Sequence, residues 1–226
     1  MRLRRGAGPP LCIGHRGAAA LAPANTLAAL EAALEAGVDM VEVDVFALQG
    51  RLVLSHSSRE LHSEPLTLED ALAFLTTHAP VGVLTDVKTR GCERELVDAL
   101  RAHDLVDRAL VSTTDLAVLR AVKRLEPRLA RSVTYPRNRG RAAALARAPR
   151  ALPWRIGALL ARAAASAATL NHRIVTRAVV ERCHGLDAAV FAWTVNEPAL
   201  VKRLDALGVD GVITDYPANC RATLPA

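Results

Sequence analysis

The most regular pattern in the chain is the alternation of apolar and acidic positions in residues 41–45, Val-Glu-Val-Asp-Val. Successive side chains of a strand point to opposite faces, so Glu42 and Asp44 share one face and the valines share the other. Burying two carboxylates without a partner costs on the order of several kcal/mol. The pattern therefore predicts a buried strand whose acidic face needs a cation, a proton or a cationic side chain.

Along the rest of the chain, short apolar runs typical of strands alternate with segments whose apolar residues recur at helical spacing. Leu27, Leu30 and Leu34 recur at helical spacing after an N-cap at Asn25 or Thr26. The predicted strands cover residues 11–14, 41–45, 51–54, 81–88, 109–112, 129–133, 168–170, 189–193 and 211–214. The later predicted helices cover residues 67–76, 93–102, 115–125, 176–183 and 198–207, before a short last helix. These elements make eight strand-helix units, which predicts an α/β fold of the TIM (β/α)8 barrel type.

Length and composition fit one domain of this kind. A chain of 226 residues with 51% hydrophobic residues can bury a full core, so we expect a single domain over residues 1–226. A basic, Arg/Ala-rich insertion at about residues 137–165 interrupts the regular alternation. The net charge of +6 favours anionic partners. Nucleic acid is not expected among them, because aromatic residues are only 3% and no RNA-binding or helix-turn-helix signature is present.

The cysteines and the apolar runs bear on the compartment. Neither a zinc site nor a disulfide framework is predicted, because the cysteines lack CxxC or His-paired spacing. They are Cys12, Cys92, Cys183 and Cys220. The basic start runs through Gly and Pro without the long apolar region of a secretory signal, and no apolar run reaches membrane-spanning length. We therefore expect a cytoplasmic protein.

Polar residues that can act in catalysis or binding follow the apolar strands. They are His15, His56, Asp86, Trp193 and Asp215. In a TIM barrel the C-terminal ends of the strands form the rim where active sites lie. The other histidines lack such neighbours and are interpreted as surface or structural residues; they are His62, His78, His103, His172 and His184.

Asp86 and Lys88 repeat the alternation of the acidic strand around Val87. Three inward carboxylates, Glu42, Asp44 and Asp86, then converge. Oxygen ligands select a hard cation, Mg²⁺ or Ca²⁺, over zinc. The alternative is that Lys88 only neutralises the acids in the barrel interior. We favour a metal site, because three acids outnumber one lysine and strand ends favour catalysis.

The two histidines and the cations fit cleavage of a phosphodiester. This reaction needs a base for the nucleophile, an acid for the leaving oxygen and cations for the phosphoryl oxygens. His15 and His56 can supply the first two. Arg16, Lys88 and the metal can supply the third.

The ordered motifs resemble the glycerophosphodiester phosphodiesterase family. They are His15-Arg16-Gly17, Pro23-Ala24-Asn25-Thr26, Glu42-Val43-Asp44, His56, Asp86-Val87-Lys88, the run Ala-Trp-Thr-Val-Asn at 192–196, and the run from Gly208 to Pro217. The resemblance covers residues 14–217. It implies a TIM barrel that hydrolyses glycerophosphodiesters to an alcohol and glycerol 3-phosphate with a divalent cation.

The same resemblance implies roles for individual residues. Glu42, Asp44 and Asp86 are the implied metal ligands, and His15 and His56 are the implied acid/base pair. Arg16 and Lys88 are the implied phosphate contacts. Trp193 is implied to line the pocket for the glycerol or alcohol group.

The chain departs from the family pattern at several positions. Ser57 follows the second histidine where an acid is usual, Ala24 stands where Glu is usual, and Asp86 replaces a Glu. The connector at 57–66 is short where relatives often carry a longer insertion, which suggests an open site and a permissive head group, or a site that another segment caps.

One candidate cap is the basic segment at 137–162, which carries seven arginines and Trp154. It can rest on an anionic membrane, or it can be an ordinary barrel helix with a solvated loop, which we favour. Two alternative functions stay open. One is a lysophospholipase D-like hydrolase of the same fold, and the other is a non-catalytic barrel that binds phosphodiesters or membranes.

Overall fold

The acidic strand lies in a parallel sheet that closes on itself. The computed structural model describes residues 3–137, 139–146 and 149–224. The strands are β1 (Leu11–Gly14), β2 (Met40–Leu48), β3 (Arg51–Leu54), β4 (Gly82–Val87), β5 (Ala109–Thr113), β6 (Ala130–Tyr135), β7 (Ala167–Asn171), β8 (Ala189–Trp193) and β9 (Gly211–Thr214). The helices are α1 (Leu27–Glu35), α2 (Leu68–Thr76), α3 (Glu93–Ala102), α4 (Leu116–Leu125), α5 (Arg139–Ala146), α6 (Leu152–Ala163), α7 (Arg177–His184), α8 (Pro198–Leu207) and α9 (Pro217–Thr223).

Closure of the barrel depends on the first strand. β1 pairs in parallel with β2 on one side and with β9 on the other, so that Gly14 is opposite both Val41 and Thr214. In the described ranges, eight parallel strands complete the ring in the order β1, β9, β8, β7, β6, β5, β4, β2. The predicted TIM barrel is confirmed. β3 lies outside the ring and pairs antiparallel with β2 across the turn at 49–50.

Side-chain alternation gives the barrel two apolar layers. Val41, Val43 and Val45 are fully buried between the strands and the helices. The opposite face of the strands fills the barrel interior, where Met40 and Phe191 belong to a separate buried cluster. The acidic positions of β2 share this inner face with Met40, as the period of a strand requires.

Several helices begin at capping residues that the sequence singles out. Thr26 caps α1, because its hydroxyl accepts a hydrogen bond from the backbone N–H of Ala29 at 3.3 Å. Thr67 caps α2 in the same way. The choice between Asn25 and Thr26 is therefore settled for Thr26, and the Asn25 side chain is used elsewhere.

The basic insertion contains α5 and α6. α6 packs against α4 and α7, and its Ile156 and Leu160 are buried. This part of the insertion therefore packs as one of the barrel helices. Within the described residues, every helix is too short or too polar to span a bilayer.

Candidate active site

Three carboxylates converge at the C-terminal ends of β2 and β4. Parallel pairing sets Asp44 opposite Asp86, and Glu42 lies one inward position below Asp44 on the same face. Each of the three offers an oxygen within 4.8 Å of the others. Glu42 and Asp44 are 4% and 1% exposed. The predicted convergence of Glu42, Asp44 and Asp86 is therefore confirmed.

Two cationic side chains accompany this acidic cluster. Lys88 Nζ lies 2.7 Å from Asp44 Oδ1 and also contacts Asp86. Arg16 Nε lies 2.9 Å from Asp44 Oδ2. Its orientation makes an ion pair without a hydrogen bond, so this buried Nε has no hydrogen-bond partner among the described residues. The backbone N–H of Arg16 donates to Glu42 Oε2 at 2.8 Å.

The charges of the cluster are unevenly distributed. Burial and the neighbouring charge of Asp44 raise the pKa of Glu42 to about 7. Burial also raises the pKa of Asp86, because it outweighs the charge of Lys88. Burial acts in the same direction on Asp44, but the hydrogen bond with His56 and the charges of Lys88 and Arg16 hold its pKa far below the usual value. Two of the three acids thus resist ionisation, which a divalent cation would reverse.

The donor set fits such a cation. The clustered ligand atoms are all carboxylate oxygens, which suit Mg²⁺ or Ca²⁺. Lys88 contacts two of the three acids without matching their total charge. The residues present therefore fit a hard divalent ion.

Asp215 and Asn196 position His15. His15 Nδ1 lies 2.6 Å from Asp215 Oδ1, and its Nε2 lies 3.9 Å from Glu42 Oε2. Asn196 Nδ2 donates to the other oxygen of Asp215 at 2.7 Å. Burial lowers the pKa of His15, but the hydrogen bond to Asp215 and the charges of Glu42 and Asp215 raise it above its ordinary value.

His56 approaches the cluster at Asp44. The β2–β3 hairpin carries it, and the backbone N–H of Ser55 donates to the Asp44 carbonyl at 3.0 Å. His56 Nδ1 lies 3.3 Å from Asp44 Oδ1, and 42% of the side chain is exposed. His15 and His56 therefore contact different members of the acidic cluster.

An open cleft of about 1200 Å³ extends from the cluster across the barrel rim. Trp193 forms part of its lining, and the indole N–H donates to the carbonyl of Thr169 at 3.2 Å. Ser112 and Thr134 line the floor and are hydrogen-bonded to each other at 2.6 Å. The structure thus brings every predicted site residue to one cleft.

Three contacts of the site are absent from the sequence-based prediction. Asp215 stands at a strand end, but its pairing with His15 requires the closed barrel. Asn25 donates from Nδ2 to Asp44 Oδ2 at 3.0 Å and accepts the Asp44 backbone N–H at 3.1 Å. Glu60 accepts a hydrogen bond from Arg16 at 3.1 Å. This last contact brings an acidic residue of the 57–66 connector to the site, although position 57 itself is a serine.

Comparison with known proteins agrees with this geometry. Residues 15–63 and 53–219 match the model of the glycerophosphoryl diester phosphodiesterase family. The chain is 26% identical to a glycerophosphodiester phosphodiesterase of Caldanaerobacter subterraneus, over 92% of the chain and 94% of that relative. It is 25% identical to one from Bacillus altitudinis, over 90% and 93% of the two chains.

Solved structures share the fold. A phosphodiesterase of Oleispira antarctica, in complex with the product sn-glycerol-3-phosphate, superposes with a TM-score of 0.77 at 23% identity, covering 95% of this chain and 96% of that one. A glycerophosphodiester phosphodiesterase from Parabacteroides distasonis gives a TM-score of 0.78 at 19% identity, covering 96% and 97%.

Proposed function

The chain belongs to the glycerophosphoryl diester phosphodiesterase family and is a phosphoric diester hydrolase, and from that premise we propose that it hydrolyses glycerophosphodiesters to an alcohol and glycerol 3-phosphate with a divalent cation. The observation that supports the proposal most directly is the acidic cluster with His15 beside Glu42 and His56 beside Asp44. The family match argues against the alternative of a non-catalytic barrel.

We assign the metal site to Glu42, Asp44 and Asp86. A bound Mg²⁺ or Ca²⁺ would stabilise negative charge on the phosphoryl oxygens. Asn25 supports the site, because its two hydrogen bonds fix both the backbone and the carboxylate of Asp44. Lys88 and Arg16 stay near the phosphate position and add positive charge, which anchors the substrate phosphate.

His15 and His56 are the proposed acid/base pair. One imidazole accepts a proton from the attacking water, and the other donates a proton to the leaving oxygen. The bond between phosphorus and that oxygen breaks, so one water is consumed and the alcohol and glycerol 3-phosphate are released. Asp215 keeps His15 in one orientation throughout. Trp193 lines the pocket beside the substrate.

The test is release of glycerol 3-phosphate from a panel of soluble glycerophosphodiesters. Activity should disappear with a chelator and return when Mg²⁺ or Ca²⁺ is restored. Full activity in the chelator would contradict the metal assignment. A lysophospholipid in the same panel tests the lysophospholipase D-like alternative, which the large open cleft supports. Its preferred hydrolysis over glycerophosphocholine would favour that alternative.

Peripheral contact with an anionic membrane is a further part of the proposal, and a cytoplasmic location stays a prediction. Trp154 on α6 is 70% exposed, and the guanidinium of Arg182 lies 4.9 Å from the centre of its ring. An exposed Trp next to cations is typical of residues at a membrane interface. Trp154→Ala should weaken sedimentation of the protein with phosphatidylglycerol vesicles and leave hydrolysis of soluble substrates unchanged.

A further inference from the structure

The cleft has a second, strongly basic part away from the acidic cluster. It lies where α4 and α6 pack near each other, and apolar side chains such as Val118 and Leu159 line it. Four arginines also line it, and we call them the arginine arm: Arg120 on α4, Arg137 after β6, Arg141 on α5 and Arg162 on α6.

Acidic side chains do not balance the charge of Arg120, Arg137 and Arg162 within the described part of the chain. Among the described residues that line the cleft, Asp115 is the one carboxylate outside the acidic cluster. Asp115 already forms an ion pair with Arg90, and it accepts the Ala117 N–H at 2.9 Å as the N-cap of α4. Arg120, Arg137 and Arg162 form no ion pair within the described part of the chain. A cleft lined by one sign of charge concentrates ligands of the opposite sign.

The position of the arginine arm in the cleft suits a second anion on the same substrate. The acidic cluster ends on β4, and α4 and α6 flank β5 and β6, one and two strands further round the barrel. The acidic cluster and the arginine arm line the same open cleft, so one extended substrate can contact both.

These observations lead to an inference that rests on the proposed function and specifies its substrate. We propose that the arginine arm binds a second anionic group, a phosphodiester or phosphomonoester, on the leaving alcohol of the substrate. Glycerol itself carries no charge, so the alcohol side of the scissile phosphate must bring this anion. The preferred substrates are thus glycerophosphodiesters with an anionic alcohol, and choline or ethanolamine esters are poorer because the arm repels their cationic groups.

A matched pair of soluble substrates tests the inference. Glycerophosphoglycerol has a neutral leaving alcohol, and bis(glycerophospho)glycerol has a leaving alcohol with a second phosphodiester. We expect kcat/KM to favour the second substrate by about tenfold at low salt, an effect equivalent to roughly 1.4 kcal/mol. The preference should decrease as NaCl is added, because the arm is open to solvent.

Two variants test whether the arginine arm causes this substrate preference. In Arg120→Ala/Arg162→Ala the preference should fall to near one, with hydrolysis of glycerophosphoglycerol unchanged. Arg124→Ala is the matched control, because Arg124 lies one turn further along α4 and does not line this cleft. It should keep the full preference.

The remaining outcomes separate the inference from its premise. Turnover of glycerophosphoglycerol without any preference for the second substrate would overturn the inference and leave the proposed function intact. No turnover of any glycerophosphodiester with metal present would overturn the proposed function and the inference together. A third result, phosphatidylglycerol vesicles bound through Arg120 and Arg162 without a preference among soluble substrates, would assign the arm to a lipid surface and also overturn the inference.

Discussion

His15 Nδ1 and Asp215 Oδ1 lie 2.6 Å apart, although the two residues are 200 positions apart in the chain. They meet because β1 and β9 are neighbours in the closed barrel. The carboxylate fixes the tautomer and the orientation of the imidazole, whose Nε2 faces Glu42. Asp215 is therefore a positioning residue for the proposed acid/base chemistry.

Asp215→Asn should lower kcat by roughly 10- to 100-fold, the range found when an orienting partner of a functional histidine is lost. The effect should fall on kcat rather than on KM, because Asp215 orients His15 and is not assigned to substrate binding. Asp187→Asn is the control, because that side chain is fully exposed. Equal kcat values for Asp215→Asn and the wild type would show that His15 needs no orienting partner.

His15→Ala and His56→Ala should each lower kcat by roughly 100-fold or more, as expected when a general acid or base is lost. His78→Ala is the control, because His78 lies on the surface beyond α2. Steady-state rates on glycerophosphoglycerol and circular dichroism of each variant measure this. A folded His56→Ala protein with wild-type kcat would contradict the role of His56.

Metal binding should be visible without any substrate. A cation that binds the folded protein and not the unfolded chain should raise Tm in a concentration-dependent manner, and we expect this of Mg²⁺ or Ca²⁺. Glu42→Gln and Asp86→Asn should abolish most of this increase. Glu60→Gln should keep it, because Glu60 contacts Arg16 and lies outside the cluster. If Glu42→Gln and Asp86→Asn keep the wild-type increase in Tm, the ion binds elsewhere.

Asn25 combines a strained backbone with two buried hydrogen bonds. Its φ is 61°, and the residue is 4% exposed. Asn25→Ala leaves the N–H and one carboxylate oxygen of Asp44 without these partners, and an unsatisfied buried group costs roughly 1–3 kcal/mol. Urea denaturation should therefore show a loss of about 2 kcal/mol or more in the free energy of unfolding.

Asn25→Gly separates the two causes, because glycine accepts positive φ without strain. It should destabilise the protein almost as much as Asn25→Ala if the hydrogen bonds dominate. Wild-type stability of Asn25→Gly would assign the effect to backbone strain alone.

Much of this geometry follows from the sequence, and the reasons are local. The bounds of α3, α8, β8 and β9 agree with the prediction, because Gly, Pro or charged residues delimit continuous apolar or periodic segments. The convergence of Glu42 and Asp44 follows from the period of a strand.

The features that the sequence-based prediction did not contain depend on long-range contacts. β6 continues to Tyr135 instead of ending at Val133, because Thr134 faces inward and finds a hydroxyl partner in Ser112 on β5. A polar residue in this position ends an apolar run in the sequence without ending the strand. The pairing of Asp215 with His15 requires knowledge of which strands are neighbours, and no local pattern contains it.

Asp115 gives a prediction on pH and stability. Burial raises its pKa, but the hydrogen bond from the Ala117 N–H and the ion pair with Arg90 bring the pKa below its usual value. The ionised Asp115 carboxylate therefore stabilises the folded state. This stabilisation is complete above the unfolded pKa of about 3.9 and is lost as pH falls through the lower folded pKa. Asp115→Asn keeps a capping side chain but removes the charge.

The wild type should therefore be more stable than Asp115→Asn at about pH 7, and the difference should be smaller at about pH 3, below the unfolded pKa. Urea denaturation at the two pH values measures it. A difference that stays constant with pH would show that the charge of Asp115 does not contribute to stability.

The 200-residue separation of His15 and Asp215 also has a consequence for biosynthesis. A ribosome makes His15 early, but the chain cannot orient this imidazole until nearly all of it has emerged and the last strand has docked beside the first. Hydrolytic activity should therefore reach its full value only when β9 docks beside β1, so that the rate of product formation reports on this final docking step.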